Sequence, residues 1–261
     1  MLAGERIRAF WQPGCTSCLR MKEFLTQHGV EYESINVHGN PAGMEQLREL
    51  GARSVPIVAR GDRFVFAQSL GDVIKFLDLD IRLPERLSPD NLIQKIDLVL
   101  TAAARYVQQI PNEWLDRPFR NRARPIRVLG HHLFRIPDAF LEAVQGQGRP
   151  LTYELIMQEP PPALRTGADI AQYGTDVLAR VKAWWASYPD RSCQGMMDTY
   201  FGRHRMHEVL ERTAWHPAQH SRQIMLILDS LGIEPNGRLT AADYAGLPLP
   251  EKAWDDEPAR G

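Results

Sequence analysis

Phe-Trp-Gln-Pro-Gly-Cys-Thr-Ser-Cys, residues 10–18, places a C-x-x-C pair directly behind an apolar segment and a Pro-Gly turn. Residues 5–12 predict a strand, and apolar side chains at helical spacing predict a helix from Cys15 to about Gln27. At such a strand-to-helix turn, the helix N–H groups favour a thiolate on Cys15. Three cysteines are too few for a disulfide framework, so the pair predicts a redox-active dithiol in a reducing compartment.

The residues that follow the pair complete a small α/β domain with the element order βαβαββα. Apolar runs broken by turn residues mark its elements, and Arg-Gly-Asp-Arg at residues 60–63 predicts a hairpin turn. The further predicted elements are strands at 32–37, 55–58 and 64–66, and helices at about 42–50 and 69–79. We therefore assign residues 1–81 to this domain and residues 82–89 to a linker.

Residues 10–18, together with Gly-Ala-Arg-Ser-Val-Pro-Ile-Val at 51–58, resemble glutaredoxins and the wider thioredoxin fold. The resemblance covers roughly residues 5–80. It implies that Cys15 is the nucleophile and Cys18 the resolving thiol. It also implies a cis peptide between Val55 and Pro56 beside the dithiol, whose backbone would pair with the cysteinyl part of a bound glutathione.

Two positions depart from the glutaredoxin pattern. Gln12 stands where many members carry a lysine that holds a glutathione carboxylate. Gln68 and Ser69 replace the usual glycine-rich start of the last helix, yet a helix N-terminus still suits a carboxylate. The predicted thiol-binding residues are Gln12, Val55, Pro56, Gln68 and Ser69.

The second half of the chain predicts an antiparallel four-helix bundle over residues 90–235. Ser88-Pro89-Asp90 is a typical helix start, and four amphipathic segments of about twenty residues follow. Their apolar positions run from Leu92 to Val107, Ile126 to Phe140, Ile170 to Trp184 and Val209 to Leu231. Residues 145–167 are predicted to form a long irregular loop, and residues 236–261 an irregular tail that lies over the surface or is disordered. The fold class is thus α/β plus all-α.

Histidines within the bundle predict a metal site. His216 and His220 lie one turn apart on the apolar face of the last helix, where buried imidazoles need partners. A shared metal would satisfy both. His132 lies on the core face of the second helix and is the predicted third ligand, while its neighbour His131 points about a quarter turn away and remains the alternative.

Leu-Gly-His-His-Leu-Phe at residues 129–134 and Trp-His-Pro-Ala-Gln-His-Ser-Arg-Gln at residues 215–223 resemble the DinB/YfiT-like family of four-helix metal proteins. This resemblance spans roughly residues 88–232. It implies a divalent metal, zinc or nickel, with a fourth position left to water or substrate. Some members are thiol transferases or isomerases that use a low-molecular-weight thiol.

The remaining histidines and the third cysteine lack a comparable pattern. His28, His38, His204 and His207 are predicted to be surface residues. Cys193, among Pro, Ser and Gly, is predicted to be an unpaired loop thiol.

The composition of the chain limits which classes of partner we expect. An apolar fraction of 44% and a charged fraction of 24% are typical of a globular protein, and the formal net charge of −1 disfavours nucleic acid as a partner. No apolar stretch approaches a membrane span, and the first ten residues lack the apolar core of a signal peptide. We therefore expect a cytoplasmic protein without a membrane partner, and a homodimer is left open.

The combination of the two halves predicts thiol chemistry. The leading hypothesis is an enzyme, in which the bundle metal activates glutathione or a similar thiol for transfer to an electrophile and the dithiol reduces the resulting mixed disulfide. One alternative is a redox- or metal-responsive binding or sensor protein without turnover. Another is a simple disulfide oxidoreductase with a structural metal domain.

Overall fold

The computed structural model describes residues 6–146 and 148–255, which divide into two compact units. The N-terminal unit combines residues 6–85 with residues 250–255, and the bundle unit is Arg86–Leu249. No helix in these described ranges has the length and apolar character that a membrane crossing requires.

The segment assigned to an irregular tail is divided between the two units. Up to Leu249 it has no helix or strand, yet Leu239, Tyr244 and Leu247 are buried in the core of the bundle unit. Residues 250–255 belong instead to the N-terminal unit. Buried apolar side chains thus hold in place a segment whose Pro- and Gly-rich composition indicates an irregular tail. The last six residues of the predicted tail lie outside the described residues.

The N-terminal unit has the predicted order βαβαββα. Its elements are β1 (Ile7–Trp11), α1 (Thr16–Gln27), β2 (Glu33–Asn36), α2 (Pro41–Glu49), β3 (Ile57–Arg60), β4 (Arg63–Phe66) and α3 (Leu70–Leu77). The sheet order is β2-β1-β3-β4, with β1 parallel to β2 and antiparallel to β3. This is the predicted thioredoxin-like arrangement.

Strand β1 lies inside this sheet and contributes to a core on each face. Because side chains alternate along a strand, Ala9 and Trp11 pack with α1 and α3, whereas Phe10 packs on the opposite face with Leu47 of α2. The carboxyl end of β1 therefore delivers the chain to the start of α1, where the cysteine pair lies.

The bundle unit contains four long helices, as predicted, together with short elements that were not. Its elements are α4 (Pro89–Gln109), α5 (Asn112–Leu115), β5 (Pro118–Phe119), β6 (Arg122–Pro125), α6 (Ile126–Gln145), α7 (Tyr153–Ile156), α8 (Gly167–Ser187), β7 (Met196–Thr199), β8 (Gly202–Arg205) and α9 (Met206–Ser230). The hairpins β5–β6 and β7–β8 each lead directly into a histidine-bearing helix. The region predicted as an irregular loop, residues 145–167, contains α7.

Helix α4 packs against α8 and α9, and α6 packs against the same two helices. At one end of the α4–α8 pair, the indole Nε1 of Trp185 donates to Asp90 at 2.9 Å. At the other end, Gly167 lies against the backbone of Val107. Helices α4 and α8 are therefore antiparallel.

The other neighbouring pairs follow from similar contacts. Phe134 of α6 contacts Gly174 of α8, and Phe140 contacts Trp184 further along, so α6 and α8 run in the same direction. Arg86, before α4, pairs with residues in the first two turns of α9, and Gln109, at the end of α4, donates to the carbonyl of Glu234 beyond α9. Helices α4 and α9 are therefore parallel, and α6 and α9 antiparallel.

Candidate functional sites

The first candidate site is the cysteine pair at the start of α1, which the structure contains as a Cys15–Cys18 disulfide. Cys15 is the N-cap of α1, and the backbone N–H of Cys18 donates to its Sγ over 3.2 Å. Cys15 is partly exposed, whereas Cys18 is fully buried. The accessible sulfur thus lies where helix N–H groups stabilise negative charge.

The predicted thiol-binding residues lie near this turn or at the start of α3. The Val55–Pro56 peptide is cis, and Val55 packs on the same core as Cys15. The carbonyl of Gln12 accepts the N–H of Cys15 at 3.4 Å. Gln68 is buried and donates to the carbonyl of Val55 at 3.5 Å. The Ser69 hydroxyl accepts from the N–H of Asp72 and caps α3. Binding of a thiol by these residues remains a prediction.

Residues 250–255 pack along α1, which sequence reasoning missed. Lys22 forms a buried ion pair with Asp255 at 2.8 Å, and its amine lies 3.6 Å from the ring centroid of Trp11. The Glu23 carboxylate accepts backbone N–H groups from residues 251 and 252. No sequence signal indicates a contact between residues separated by more than two hundred positions.

The second candidate site is a histidine cluster between α6 and α9. One ring nitrogen from each of His132, His216 and His220 lies within 4.8 Å of the others, and all three side chains are buried. The structure therefore brings together the three predicted ligands. His131 lies outside the cluster, with its ring stacked on Tyr173 at a centroid distance of 5.1 Å.

Hydrogen bonds fix the tautomers of two of the three rings. His132 Nδ1 lies 3.2 Å from the carbonyl oxygen of Ile156, and His220 Nδ1 lies 2.8 Å from Oε1 of Gln223. Because these oxygens only accept, each Nδ1 carries the proton and each Nε2 keeps a lone pair. The short helix α7 thus contributes Ile156 to the site.

Two nitrogens of the cluster are buried without a hydrogen-bond partner in the described part of the chain. They are His220 Nε2 and His216 Nδ1. Burial holds the pKa of all three imidazoles well below the usual range, and nearby charges such as Arg124 and Arg212 lower it further. At neutral pH the rings are neutral, which is the form that binds metal. Three neutral imidazoles, two of which have a buried nitrogen without a hydrogen-bond partner among the described residues, fit a divalent ion with an open fourth position.

Comparisons with known proteins concern mainly the first site. The glutaredoxin family matches residues 7–65. The glutaredoxin-like protein NrdH of Escherichia coli K12 is 35% identical over 57 residues, which cover 22% of this chain and 70% of NrdH. The chain belongs to the glutaredoxin family. NrdH of Lactococcus lactis IL1403 is 26% identical over 61 residues, covering 23% of this chain and 83% of that protein.

A solved structure is similar over the other half of the chain. YfiT from Bacillus subtilis, described as a probable metal-dependent hydrolase with an unusual four-helix bundle topology, has 17% sequence identity and a TM-score of 0.47. The similarity covers 60% of this chain and 96% of YfiT. The predicted architecture, a glutaredoxin-family unit fused to a four-helix bundle, is confirmed by the family match and by the helices of the bundle unit itself.

The structure buries one predicted surface residue, His204, and the predicted loop thiol of Cys193. His204 lies in β8, where its ring packs on Phe201 and its Nδ1 lies 3.5 Å from Glu208. The hydrogen bond from His204 lowers the pKa of the Glu208 carboxyl to about 2. Cys193 is unpaired but fully buried, and burial raises the pKa of its thiol to about 11. The prediction of a surface position for His204 was wrong, because hairpin β7–β8 and the loop before it pack onto the bundle core. Cys193 is an unpaired loop thiol, as predicted, and it is buried by the same packing.

Proposed function

We propose that this chain is a thiol-dependent oxidoreductase and transferase with two sites. The dithiol would exchange disulfides, and the three histidines would hold a divalent metal, zinc or nickel, that activates a low-molecular-weight thiol such as glutathione. The observation that carries the proposal is that one chain holds both a glutaredoxin dithiol and three buried imidazoles whose nitrogens lie within 4.8 Å of one another.

The dithiol step follows from the unequal burial of the two sulfurs. The Cys15 thiolate attacks one sulfur of a mixed disulfide, whose S–S bond breaks, and the departing thiolate takes a proton from solvent. Cys18 then attacks the Cys15 sulfur, releases the second thiol and restores the Cys15–Cys18 disulfide. Two external thiols return two electrons and two protons and leave as one disulfide. The accessible Cys15 sulfur therefore makes the first attack, and the buried Cys18 sulfur resolves the resulting mixed disulfide.

In the bundle, the chain supplies a fixed set of donors. His132, His216 and His220 would hold the metal, while the Ile156 carbonyl and Gln223 fix the tautomers of His132 and His220. A bound divalent ion lowers the pKa of a thiol and makes thiolate available at neutral pH. The sulfur of the thiol then forms a bond to an electrophile. The leaving group of the electrophile departs, and the proton of the thiol is released to solvent.

The two activities connect when the electrophile is itself a disulfide, or another compound whose sulfur is at the oxidation level of a disulfide and carries a leaving group. Thiol transfer then yields a mixed disulfide, and this is what the dithiol reduces. A covalent link between two sites raises their mutual effective concentration to about millimolar when its geometry lets them meet. Small thiols, electrophiles and disulfides are the partners that this chemistry requires, and transfer would occur within one chain or across a homodimer.

The test measures both activities on three variants. Disulfide reduction is followed with hydroxyethyl disulfide and glutathione, and thiol transfer with glutathione and 1-chloro-2,4-dinitrobenzene, which releases chloride. We expect Cys15→Ser to lose disulfide reduction, His216→Leu to lose thiol transfer, and His131→Leu, as the matched control, to retain both. If folded His216→Leu transfers thiol at the wild-type rate, the metal has no chemical role and the proposal fails.

Mixing Cys15→Ser with His216→Leu tests the coupling. If the sites cooperate within one molecule, the mixture converts a sulfur electrophile to free thiol more slowly than the wild-type protein, and its rate per molecule rises with protein concentration. A mixture that equals the wild-type rate at every concentration contradicts coupling within one molecule.

A further inference from the structure

Arg212 is a buried cation without a counter-ion, close to the histidine cluster. It lies one turn before His216 on α9 and is 4% exposed. Its Nη2 donates to the Tyr200 hydroxyl at 3.0 Å, and the guanidinium lies 5.4 Å from the ring centroid of Phe201. Its Nε is buried without a partner, and no carboxylate in residues 6–146 or 148–255 forms an ion pair with it.

Arg124 is a second cation for which the described residues form no ion pair, and it reaches the cluster from a different element. It is half-buried, and the exposed Glu159 is the carboxylate that acts on it electrostatically. Arg124 lies in β6, two residues before α6, and its buried Nη2 has no partner within the described chain. Burial and the neighbouring Arg122 lower the pKa of its guanidinium to about 9. Arg124 and Arg212 both act electrostatically on all three histidines, so they border the same site.

Another buried arginine of the bundle unit is paired with carboxylates. Arg135, one turn beyond His131, is 3% exposed and pairs with the carboxylates of Asp138 and Glu142. A buried charge without such partners costs folding free energy. Arg212, and to a smaller extent the half-buried Arg124, therefore carry a cost that the packing of the bundle does not explain, and a bound anion would remove it.

We propose that Arg124 and Arg212 bind a carboxylate of the small molecule that reacts at the three-histidine site. A planar guanidinium fork matches a carboxylate, and charge-assisted bonds of this kind are among the strongest in proteins. A divalent ion would add to the positive charge of the site, which further favours an anionic ligand. This inference rests on the proposed function and names its substrate class, a carboxylate-bearing thiol or electrophile.

The test is calorimetric titration of the full-length protein, without metal and after zinc loading. The probes are succinate, inorganic phosphate and S-methylglutathione, whose blocked sulfur cannot reduce the Cys15–Cys18 disulfide. Arg124→Met and Arg212→Met should each weaken the binding of at least one carboxylate probe tenfold or more. The matched control is Arg127→Met, three residues beyond Arg124, whose guanidinium pairs with Asp116 at 2.9 Å. It should bind as the wild-type protein does.

The two carboxylate probes separate the possible sources of the anion. Arginine-dependent binding of S-methylglutathione assigns the carboxylate to the thiol, and binding of succinate alone assigns it to the electrophile. The proposal is overturned if neither binds in either metal state, if phosphate alone binds, or if the variants bind as the control does.

Melting temperature separates binding from a structural role. Arg212→Met should keep or raise the melting temperature of the ligand-free protein and lose the increase that saturating carboxylate gives. If it instead lowers the melting temperature while the carboxylate still gives its full increase, Arg212 serves packing and the proposal fails. If zinc binds the histidines but no carboxylate binds, this inference fails and the proposed function is unaffected. If carboxylate binding depends on the arginines but zinc does not bind, the anion site is supported and the proposed metal site is refuted.

Discussion

Replacing His216 by Leu is the sharpest perturbation of the proposed metal site. The substitution approximately conserves volume, and it removes a buried ring whose Nδ1 has no partner among the described residues. His131→Leu is a close control because His131 is also buried, also has an unpartnered Nδ1, and also stacks on a neighbouring aromatic ring. Without metal, we expect both variants to unfold within about 1 kcal/mol of the wild-type protein.

Metal should separate the two variants. At a free zinc concentration one hundred times the Kd, binding to the folded state alone adds about 2.7 kcal/mol to the free energy of unfolding. For a unit of about 160 residues, each kcal/mol shifts the melting temperature by roughly 2–4 °C, so the expected increase is about 5–11 °C. The wild-type protein and His131→Leu should show this increase, and His216→Leu should not.

Circular dichroism at a helix-sensitive wavelength follows this transition, because the four long helices lie in the bundle unit. Zinc and nickel are added separately to chelator-treated protein, and bound metal is counted by mass spectrometry. A full increase in His216→Leu, or its loss in His131→Leu, would refute the assignment of the ligands.

Three further predictions concern the cysteines and one glycine. After reduction, iodoacetamide should modify Cys15 much faster than Cys18, since only Cys15 is accessible and lies at the helix N-terminus; equal rates in peptide mass spectrometry would contradict this. Cys193 has a thiol pKa raised to about 11, so about one molecule in a thousand carries its thiolate at pH 8. Because the sulfur is also fully buried, its alkylation in the native protein should be negligible at pH 8 and become fast only on unfolding, and fast labelling of the folded protein at pH 8 would contradict this. Gly174→Ala should cost about 1–3 kcal/mol in urea unfolding, because its Cβ would lie 2.3 Å from a buried phenylalanine ring of α6. Gly71→Ala in α3 should be neutral or stabilising, because its Cβ would make only an ordinary van der Waals contact, 3.8 Å from the Ser69 hydroxyl.

Local pattern predicted the parts of the fold that depend on neighbours in sequence. The C-x-x-C pair and the distant Val-Pro indicated a thioredoxin-like unit, and helical spacing distinguished His132 from His131. The hairpins before α6 and α9 escaped prediction because strands of two to four residues are too short to show an alternating pattern.

Other features depend on the absence of a partner or on contacts between distant parts of the chain, and neither can be seen in the sequence. Arg212 lacks the carboxylate partners that Arg135 has, and that lack appears once the chain is folded. The burial of His204 likewise depends on a hairpin that packs onto the core. The division of residues 236–255 between two units depends on contacts across most of the chain, such as the pair of Lys22 and Asp255.

The contact of residues 250–255 with α1 has a consequence for biosynthesis. The N-terminal unit is discontinuous in sequence, since the whole of Arg86–Leu249 is translated before its last piece. A ribosome that has released the first 85 residues has made the dithiol and its helix, but not the carboxylate of Asp255 that pairs with Lys22. The redox unit is therefore completed only when residues 250–255 have been made, which is after the histidine-bearing helices have been translated. A protein shortened before Pro250 would carry an intact cysteine pair on a unit that lacks this final piece.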